Sequence, residues 1–190
     1  GSHFRLDHAN CAIRPVQKPT PPVWFGANAD RAIRRAARMG GCWYINPHST
    51  LATIERQMAL YRAALAEHAQ PMPTEVPIMR EVFVADSRAE AIRRARPALE
   101  IKYQAYRAWG QDKVMPKGDD FDRDFDSLID DRFLFGAPDE VAEQIVALRR
   151  RFGATHVVFG AHWPGMSAAE SHAQMRLLAG EVLPRVRATA

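Results

Sequence analysis

The chain has 190 residues, 47% of them apolar and 25% charged, which is an ordinary composition for a soluble globular domain with one sizeable core. Its 26 basic and 22 acidic residues leave a formal charge of only +4, and the arginines are spread over several segments, which argues against a nucleic-acid-binding stripe. Cys11 and Cys42 are too few for a disulfide framework and lack metal-ligand spacing, and no apolar stretch approaches the ~20 residues that span a membrane. We therefore expect a cytoplasmic protein with neither nucleic acid nor a membrane as a partner.

The chain begins with residues that we expect to lie outside the fold. Residues 1–3 read Gly-Ser-His, which is typical of the remnant of an expression tag, so the domain is predicted to span residues 4–190. The first apolar run, Val23 to Phe25, predicts a strand that ends in the turn Gly26-Ala27-Asn28. A helix is predicted from Asp30 to Met39, where small and apolar residues recur at helical spacing among arginines.

Two further strand-and-helix pairs follow. Trp43 to Ile45 predicts a strand, and Leu51 to His68 predicts a helix with Ser49 or Thr50 as its N-cap. Val76 to Ala85 predicts the third strand, and the helix that begins at Asp86-Ser87 contains Pro97, which we expect to kink or split it.

The segment from Gln111 to Asp131 interrupts the third unit. It is acidic and weakly periodic, and loops of this length are functional or disordered in most compact domains, so a lid and an ordinary surface excursion both stay open. The segment lacks the glycine and the terminal glutamate of an EF-hand loop, so we predict no calcium site at its five central aspartates, Asp119, Asp120, Asp122, Asp124 and Asp126.

The last part of the chain predicts one more strand between two helices. The helix Pro138 to Arg151 carries acidic residues in its first turn and is followed by Gly153, the strand is Val157 to Phe159, and a final helix runs from Ala168 to Arg187. Strands that alternate with helices indicate βαβ units and a parallel sheet, and the continuous apolar runs indicate strands covered on both faces. No Gly-x-Gly-x-x-Gly follows the first strand, which weakens a dinucleotide-binding interpretation.

Four stretches, in order along the chain, resemble the bacterial luciferase-like monooxygenase family. They are PVQKPTPPVWFGA (residues 15–27), RAIRRAARMGGCW (31–43), FLFGAPDEVAEQIVALRRRFGATHVV (133–158) and MRLLAGEVLPRVR (175–187). The resemblance implies a (β/α)8 barrel that binds a flavin or a deazaflavin at the carboxyl ends of its strands and uses the reduced cofactor to activate oxygen or to move a hydride. A complete barrel needs about 250 residues. We therefore predict an α/β fold that is half of a (β/α)8 barrel, with four parallel βα units equivalent to strands five to eight.

The sequence departs from the family pattern at one turn. The resemblance leads us to expect Asp-Gly-Trp where this chain has Gly41-Cys42-Trp43. A cysteine can replace a turn glycine only where the backbone φ angle suits an L-residue. Natural drift and engineering both stay open as origins of the change.

The turn Gly26-Ala27-Asn28 is the strongest candidate binding site. A glycine lets a ligand approach the backbone, Asn28 is a good N-cap, and the free N–H groups at a helix start attract an anion. The resemblance places the flavin phosphate near these three residues, and Arg31, one turn into the helix, is our addition as a further phosphate contact. The alternative is that the turn is a plain helix cap.

Three more residues are candidates outside the turn. Trp43 could line a flavin pocket or belong to the core, and Arg80, inside the third strand, should be paired or should contact a ligand. His162 lies after the fourth strand and could act as an acid or base or be a hydrogen-bonded structural residue, whereas His48, His156 and His172 are treated as structural. We predict no metal site.

Three functional hypotheses remain open at this point. The chain is the C-terminal half of a flavin-dependent oxidoreductase acting on a small organic substrate with FMN, or alternatively with the deazaflavin F420. The second hypothesis is that the chain is an excised or engineered half-barrel scaffold without catalysis and with no cofactor bound. The third is that it is a flavin- or phosphate-binding module. Because a half-barrel leaves open sheet edges and an uncovered face, we also expect it to associate with itself.

Overall fold

The computed structural model describes residues 2–116, 118, 119, 121 and 124–189, with the side chains of residues 112 and 130 left aside. Residues 2–23 form no helix or strand and are exposed throughout. Two of the five aspartates at which the sequence analysis predicts no calcium site, Asp120 and Asp122, lie outside the described residues.

Five parallel strands and seven α-helices alternate along the described chain. The strands are β1 (Trp24–Gly26), β2 (Cys42–Tyr44), β3 (Pro77–Val84), β4 (Phe133–Gly136) and β5 (His156–Gly160). The helices are α1 (Asp30–Arg38), α2 (Leu51–Glu67), α3 (Arg88–Ala108), α4 (Phe125–Arg132), α5 (Pro138–Phe152), α6 (Ala168–Leu177) and α7 (Leu183–Ala188). A 3₁₀ turn spans Gln111–Val114, and a π-helical turn, Leu178–Val182, joins α6 to α7. None of the described helices combines the length and the hydropathy needed to cross a membrane.

The strands form two parallel sheets that meet at one bridge. β1 pairs with β2, and β3 is the centre of a second sheet in the order β4-β3-β5. The N–H of Ile45 donates to the carbonyl of Pro77 at 3.0 Å, and the N–H of Met79 donates back to Ile45 at 2.8 Å. This exchange connects the end of β2 to the start of β3, so all four predicted strands belong to one continuous parallel arrangement.

Helices pack on one face of this arrangement, where Val157 and Phe159 of β5 stay partly exposed. Side chains of α1, α2, α5 and the C-terminal helices pack on Trp43, Ile45, Ile78, Val82 and Leu134 in the larger core. The opposite face is covered only over β4 and the upper half of β3, by α3 and α4, whose side chains pack on Phe83, Phe133 and Phe135 in a second core. The apolar runs predict strands that are covered on both faces. Among the described strands, this prediction is confirmed for β4 and for the upper half of β3.

None of the described helices lies over the lower part of that second face. Trp24, Tyr44, Met79, His156 and Val158 lie on it, and all five are at least partly exposed. The rings of Trp24 and Tyr44 stack with centroids 6.0 Å apart, and the ring of His156 meets Trp24 edge-on at 5.5 Å. We call these five residues the uncovered face.

The structure corrects one expectation about α3. Pro97 does not split this helix, which runs without a break from Arg88 to Ala108, because Pro97 is exposed and water can satisfy the carbonyl that loses its partner; a kink stays a prediction. The described part of the acidic segment contains the 3₁₀ turn and most of α4, and its role as a lid or a surface excursion stays a prediction. Phe125, Leu128 and Ile129 anchor α4 in the second core.

The departure at Gly41-Cys42 has a local structural reason. Cys42 lies in β2 and does not have a positive φ angle, so the cysteine is compatible with the backbone there. A Cβ atom at position 41 would overlap the ring of Phe25, so only glycine fits beside that ring. The residue at positive φ in this turn is Gly40, at φ +67°.

Candidate functional site

The turn Gly26-Ala27-Asn28 lies at the carboxyl end of β1 and is held from three sides. The indole N–H of Trp43 donates to the carbonyl of Ala27 at 2.9 Å, and the side-chain amide of Gln57 donates to the carbonyl of Asn28 at 2.7 Å. The amide of Asn46, just beyond β2, donates to the side-chain oxygen of Asn28. No atom of the described residues other than the neighbours of Gly26 lies within 4 Å of the position of a Cβ atom on Gly26, so the space over the turn is open in the described part of the chain.

The predicted N-cap role of Asn28 is wrong. The helix α1 begins at Asp30, and its N-cap is Ala29, whose side chain cannot accept a hydrogen bond. Asn28 lies one residue too early, and its side chain pairs with Asn46 instead. The N–H groups of Asp30 and Arg31 precede the first intrahelical hydrogen bonds, which Ala32 and Ile33 donate to the carbonyl of Ala29.

A carboxylate already lies at this helix start. Asp30 accepts hydrogen bonds from the two terminal nitrogens of Arg56 at 2.7 and 2.9 Å and from Gln57 at 3.1 Å. The hydrogen bond from Arg56 is the main cause that lowers the pKa of Asp30 below its ordinary value, so the carboxylate stays ionised. Arg56 neutralises this charge, so Asp30 does not by itself exclude a second anion from the turn.

Arg31 and Trp43 are placed differently from each other. Arg31 is exposed and lines a surface groove of about 530 Å³ together with four arginine and alanine neighbours of α1 and with His68. Trp43 is buried in the larger core, with its ring 5.9 Å from that of Tyr61. Trp43 therefore supports the turn through its indole hydrogen bond, and a direct ligand contact by either residue stays a prediction.

Arg80 connects the turn to the interior. Its guanidinium donates to the carbonyl of Asn46 at 3.2 Å and to that of Met79 at 3.0 Å, and the side chain is 1% exposed. Burial lowers the pKa of Arg80 to about 10, so it stays charged at neutral pH. Because Asn46 also contacts Asn28, the turn and Arg80 belong to one hydrogen-bonded chain of residues.

Arg80 is itself a member of a group of buried polar residues that we call the His48 cluster. It consists of His48, Ser49, Arg80, Tyr103, Asp119 and Arg132, all of them buried. They come from four parts of the chain: the loop after β2, the strand β3, the helix α3, and the segment that ends with α4.

Hydrogen bonds and ring contacts hold the cluster together. Arg132 donates to the carbonyl of His48 at 2.5 Å and to that of Asp119 at 3.4 Å. One carboxylate oxygen of Asp119 accepts from the hydroxyls of Thr50 and Thr53, each at 3.0 Å. The ring of His48 is surrounded edge-on by aromatic rings, with centroid distances of 6.1, 4.9 and 5.4 Å to Tyr103, Tyr106 and Phe121.

The surroundings of the cluster shift the pKa of two of its members besides Arg80. Burial, together with the positive charges of Lys102, Arg132 and Arg80, lowers the pKa of His48 to about 3, so this histidine is neutral. Burial and then the charge of Glu81 raise the pKa of Tyr103 well above its ordinary value, so its hydroxyl stays protonated.

Glu81 lies beside the cluster and is fully buried. Its two carboxylate oxygens accept from the ammonium of Lys102 and, at 2.5 Å, from the indole of Trp163. His162, next to Trp163, is exposed, and its Nδ1 lies 2.5 Å from the hydroxyl of Ser171 on α6. This contact agrees with the structural interpretation of His162, and an acid–base role stays a prediction.

Sequence reasoning missed most of the cluster. The signal was weak because His48, Tyr103, Asp119 and Arg132 are separated by long stretches of chain and form no motif. The only usable sign was Arg80-Glu81, two charged residues inside an otherwise apolar strand, of which only Arg80 was singled out. Within the described residues, no three histidine, cysteine or acidic side chains are grouped to hold a metal ion.

Comparison with known proteins shows the class to which this fold and turn belong. The family model described as luciferase-like monooxygenase matches residues 1–156. The chain therefore belongs to the luciferase-like monooxygenase family, as the four sequence stretches indicate.

Individual relatives are distant. The oxygenase component of the flavin-dependent trigonelline monooxygenase from Acinetobacter baylyi is 24% identical over 110 residues, which cover 57% of this chain and 30% of that protein. An uncharacterized protein, y4vJ, from Sinorhizobium fredii is 26% identical over 92 residues, or 47% of this chain and 26% of that protein.

Solved structures share the fold. The monooxygenase RslO1 from Streptomyces bottropensis superposes with a TM-score of 0.68 at 25% identity, over 91% of this chain and 50% of that one. The oxygenating constituent of 3,6-diketocamphane monooxygenase from Pseudomonas putida, in complex with FMN, has a TM-score of 0.65 at 22% identity, over 88% and 49%. An F420-dependent secondary alcohol dehydrogenase has a TM-score of 0.67 at 16% identity, over 98% and 55%. The chain thus spans about half the length of these three structures.

Proposed function

We propose that this chain is the C-terminal half of a luciferase-like, flavin-dependent oxidoreductase and that its turn Gly26-Ala27-Asn28 binds the phosphate of FMN. The observation that carries the proposal is the open space over Gly26 beside the Asn28–Asn46 amide pair, at the ends of β1 and β2. A bound flavin supplies the redox chemistry, by reaction with oxygen or by hydride transfer, and the protein positions it. The substrate is a small organic molecule.

The residues present fit a phosphate at this place. Without a Cβ atom, Gly26 allows phosphate oxygens to approach the backbone, and the N–H groups that open α1 are the donors that such sites use. Asn46 holds Asn28 in place, and Trp43 and Gln57 hold the carbonyls of Ala27 and Asn28. Arg31 lies one turn into α1 and is the proposed charged contact.

FMN is the proposed cofactor, and the deazaflavin F420 is the alternative. Similar folds are known in a complex with FMN and in one with an F420-acetone adduct. Both cofactors carry phosphate, so the turn suits either, and the choice depends on residues that contact the ring system.

A second candidate function is a self-associating half-barrel without catalysis. The uncovered face, with Trp24 38% exposed, favours it, because an apolar sheet face of this kind is covered by another part of a barrel or by another molecule. Under this alternative the turn only connects β1 to α1.

A ligand titration separates the two candidates. The purified chain is titrated with FMN, with F420 and with riboflavin, and quenching of flavin fluorescence is followed. Saturable binding of FMN supports the cofactor site. Absence of binding at high micromolar concentration, together with a stable oligomer, leaves the scaffold function and overturns the proposal.

The first prediction concerns Asn28. Replacement Asn28→Leu removes the amide pair with Asn46 that holds the turn in place and should weaken FMN binding roughly tenfold, about the size of one hydrogen bond, while riboflavin binding stays the same. The matched control is Asn10→Leu, at an exposed asparagine of the N-terminal segment. Equal losses for FMN and riboflavin would contradict a phosphate site at the turn.

A further inference from the structure

The His48 cluster carries hydrogen-bonding groups that the protein itself does not use. Five buried side-chain atoms of the described chain have no hydrogen-bond partner, and all five belong to the cluster: His48 Nδ1, Ser49 Oγ, Arg80 Nη2, Tyr103 Oη and Asp119 Oδ2. Buried polar groups in folded proteins are nearly always paired with protein, water or a ligand. Five such atoms in one cluster therefore indicate an occupant.

The chemistry of these five atoms restricts the occupant. Arg80 can only donate, the hydroxyls of Ser49 and Tyr103 can donate, and neutral His48 donates from Nδ1 in one of its two tautomers. Arg80 and Arg132 give the cluster two positive charges, and the positive charges around His48 are among the causes that keep its pKa low. Several unpaired donors in a positive environment are suited to an oxyanion.

Asp119 adds a requirement that a simple oxyanion does not meet. Its Oδ2 can only accept, so the occupant must also present one donor to it. Inorganic phosphate at neutral pH retains a proton on oxygen and can donate. Sulfate has none, and a phosphate monoester such as the one in FMN has lost its second proton above a pKa of about 6.

We propose that the His48 cluster binds one free hydrogen phosphate ion. Arg80, Ser49, Tyr103 and His48 donate to its oxygens, and Asp119 accepts from its P–OH group. Thr50 and Thr53 hold the other oxygen of Asp119 and so aim Oδ2 at the ion. This site is separate from the flavin turn and does not depend on the proposed function.

Two cavities each have one member of the cluster in their walls. One, of about 140 Å³, is lined by Arg80 with Leu134 and Asp131, and the other, of about 180 Å³, is lined by Tyr103 with Phe121 and Leu128. Asp131 contributes a negative charge near Arg80, and it belongs to the wall of the first cavity and is only partly buried.

The test measures anion binding directly. The chain, in a chloride buffer at neutral pH, is titrated with inorganic phosphate and with sulfate, followed by calorimetry and by ³¹P resonance broadening. We expect one phosphate per chain and sulfate binding at least tenfold weaker. No phosphate binding at millimolar concentration, or sulfate binding as tight as phosphate, overturns the proposal and leaves ordered water as the occupant.

Two substitutions locate the ion. Tyr103→Phe removes one donor and should weaken phosphate binding roughly tenfold or more, with an unchanged far-ultraviolet spectrum. Asp119→Asn keeps a side chain of the same size but turns the acceptor into a donor, and should abolish the preference for phosphate over sulfate. Asp139→Asn, at an exposed carboxylate of α5, is the matched control and should change neither affinity.

The Asn28→Leu variant separates this site from the flavin site. Inorganic phosphate should bind it as tightly as the parent chain, even where FMN binding is weakened. Loss of phosphate binding in this variant would place the ion at the turn and overturn the proposal. Phosphate binding that neither Tyr103→Phe nor Asp119→Asn affects would overturn it as well.

Discussion

His48 shows how a single residue acquires its properties from the fold. In the sequence it follows Asn46-Pro47 with no partner pattern and is treated as structural. In the structure it lies among three aromatic rings and near three cations, and this environment lowers its pKa to about 3. The cations come from α3, α4 and β3, so no local pattern around His48 contains them.

The lowered pKa of His48 predicts a pH dependence of stability. The folded state holds His48 neutral, whereas the unfolded chain binds a proton near pH 6.5, so the contribution to stability is complete above pH 6.5 and is lost as pH falls toward about 3. The expected loss is about 1.4 kcal/mol per pH unit in that window. His48→Phe should flatten the dependence, measured as urea unfolding between pH 7 and pH 4.5.

His172→Phe is the control for this prediction, because His172 is exposed on α6. It should leave the slope of stability against pH unchanged. A His48→Phe variant with the same slope as the parent chain would show that other groups dominate acid destabilisation.

At the scale of elements, local sequence signals predict the first and last residues of most helices to within a residue or two of the observed ones. α1, α2 and α5 begin where predicted, and Thr50 is the N-cap of α2, accepting from the N–H of Thr53 at 3.2 Å. β4 was missed, because its four residues directly precede the helix signal at Pro138 and carry no periodicity of their own. Its position is set by pairing with β3, which is a long-range contact.

Gly153 allows a prediction at this scale. It ends α5 at φ +70°, a conformation that disfavours any residue with a Cβ atom, although nothing lies within 4 Å of that position. Gly153→Ala should therefore lower the free energy of unfolding by about 1 kcal/mol through backbone strain alone.

Gly180→Ala is the matched control for Gly153→Ala. Gly180 also has open space at the Cβ position, but its φ angle is not positive. The control should be neutral or slightly stabilising in the same denaturant titration. Equal effects of the two substitutions would contradict the strain argument.

At the scale of the whole molecule, the sheets leave surface that the described residues do not cover. The uncovered face exposes Trp24, Tyr44, Met79 and Val158 in part, and β1 and β5 end their sheets. This chain covers about half of RslO1 and of the 3,6-diketocamphane monooxygenase constituent, so in those two structures further chain is available to cover such a face. We propose that isolated copies of this chain associate through it.

Light scattering after size-exclusion chromatography tests this association. We expect a dimer or a larger oligomer at micromolar concentration, and Val158→Lys, which places a charge on the uncovered face, should shift it toward monomer. The control Ile101→Lys changes an exposed apolar residue of α3, 51% exposed, and should leave the oligomer intact. A stable monomer of the parent chain would contradict the proposal.

The sequence by itself determined the alternation of strands and helices, the family, and the turn at the end of β1. Hydrophobic periodicity, helix caps and family motifs are local, so neighbouring residues suffice to specify them. Only the tertiary structure decided that Asn28 pairs with Asn46, that Trp43 supports the turn from the core, and that the His48 cluster exists. These features need side chains distant along the chain to meet, and their contacts depend on strand pairing and helix packing that no local pattern specifies.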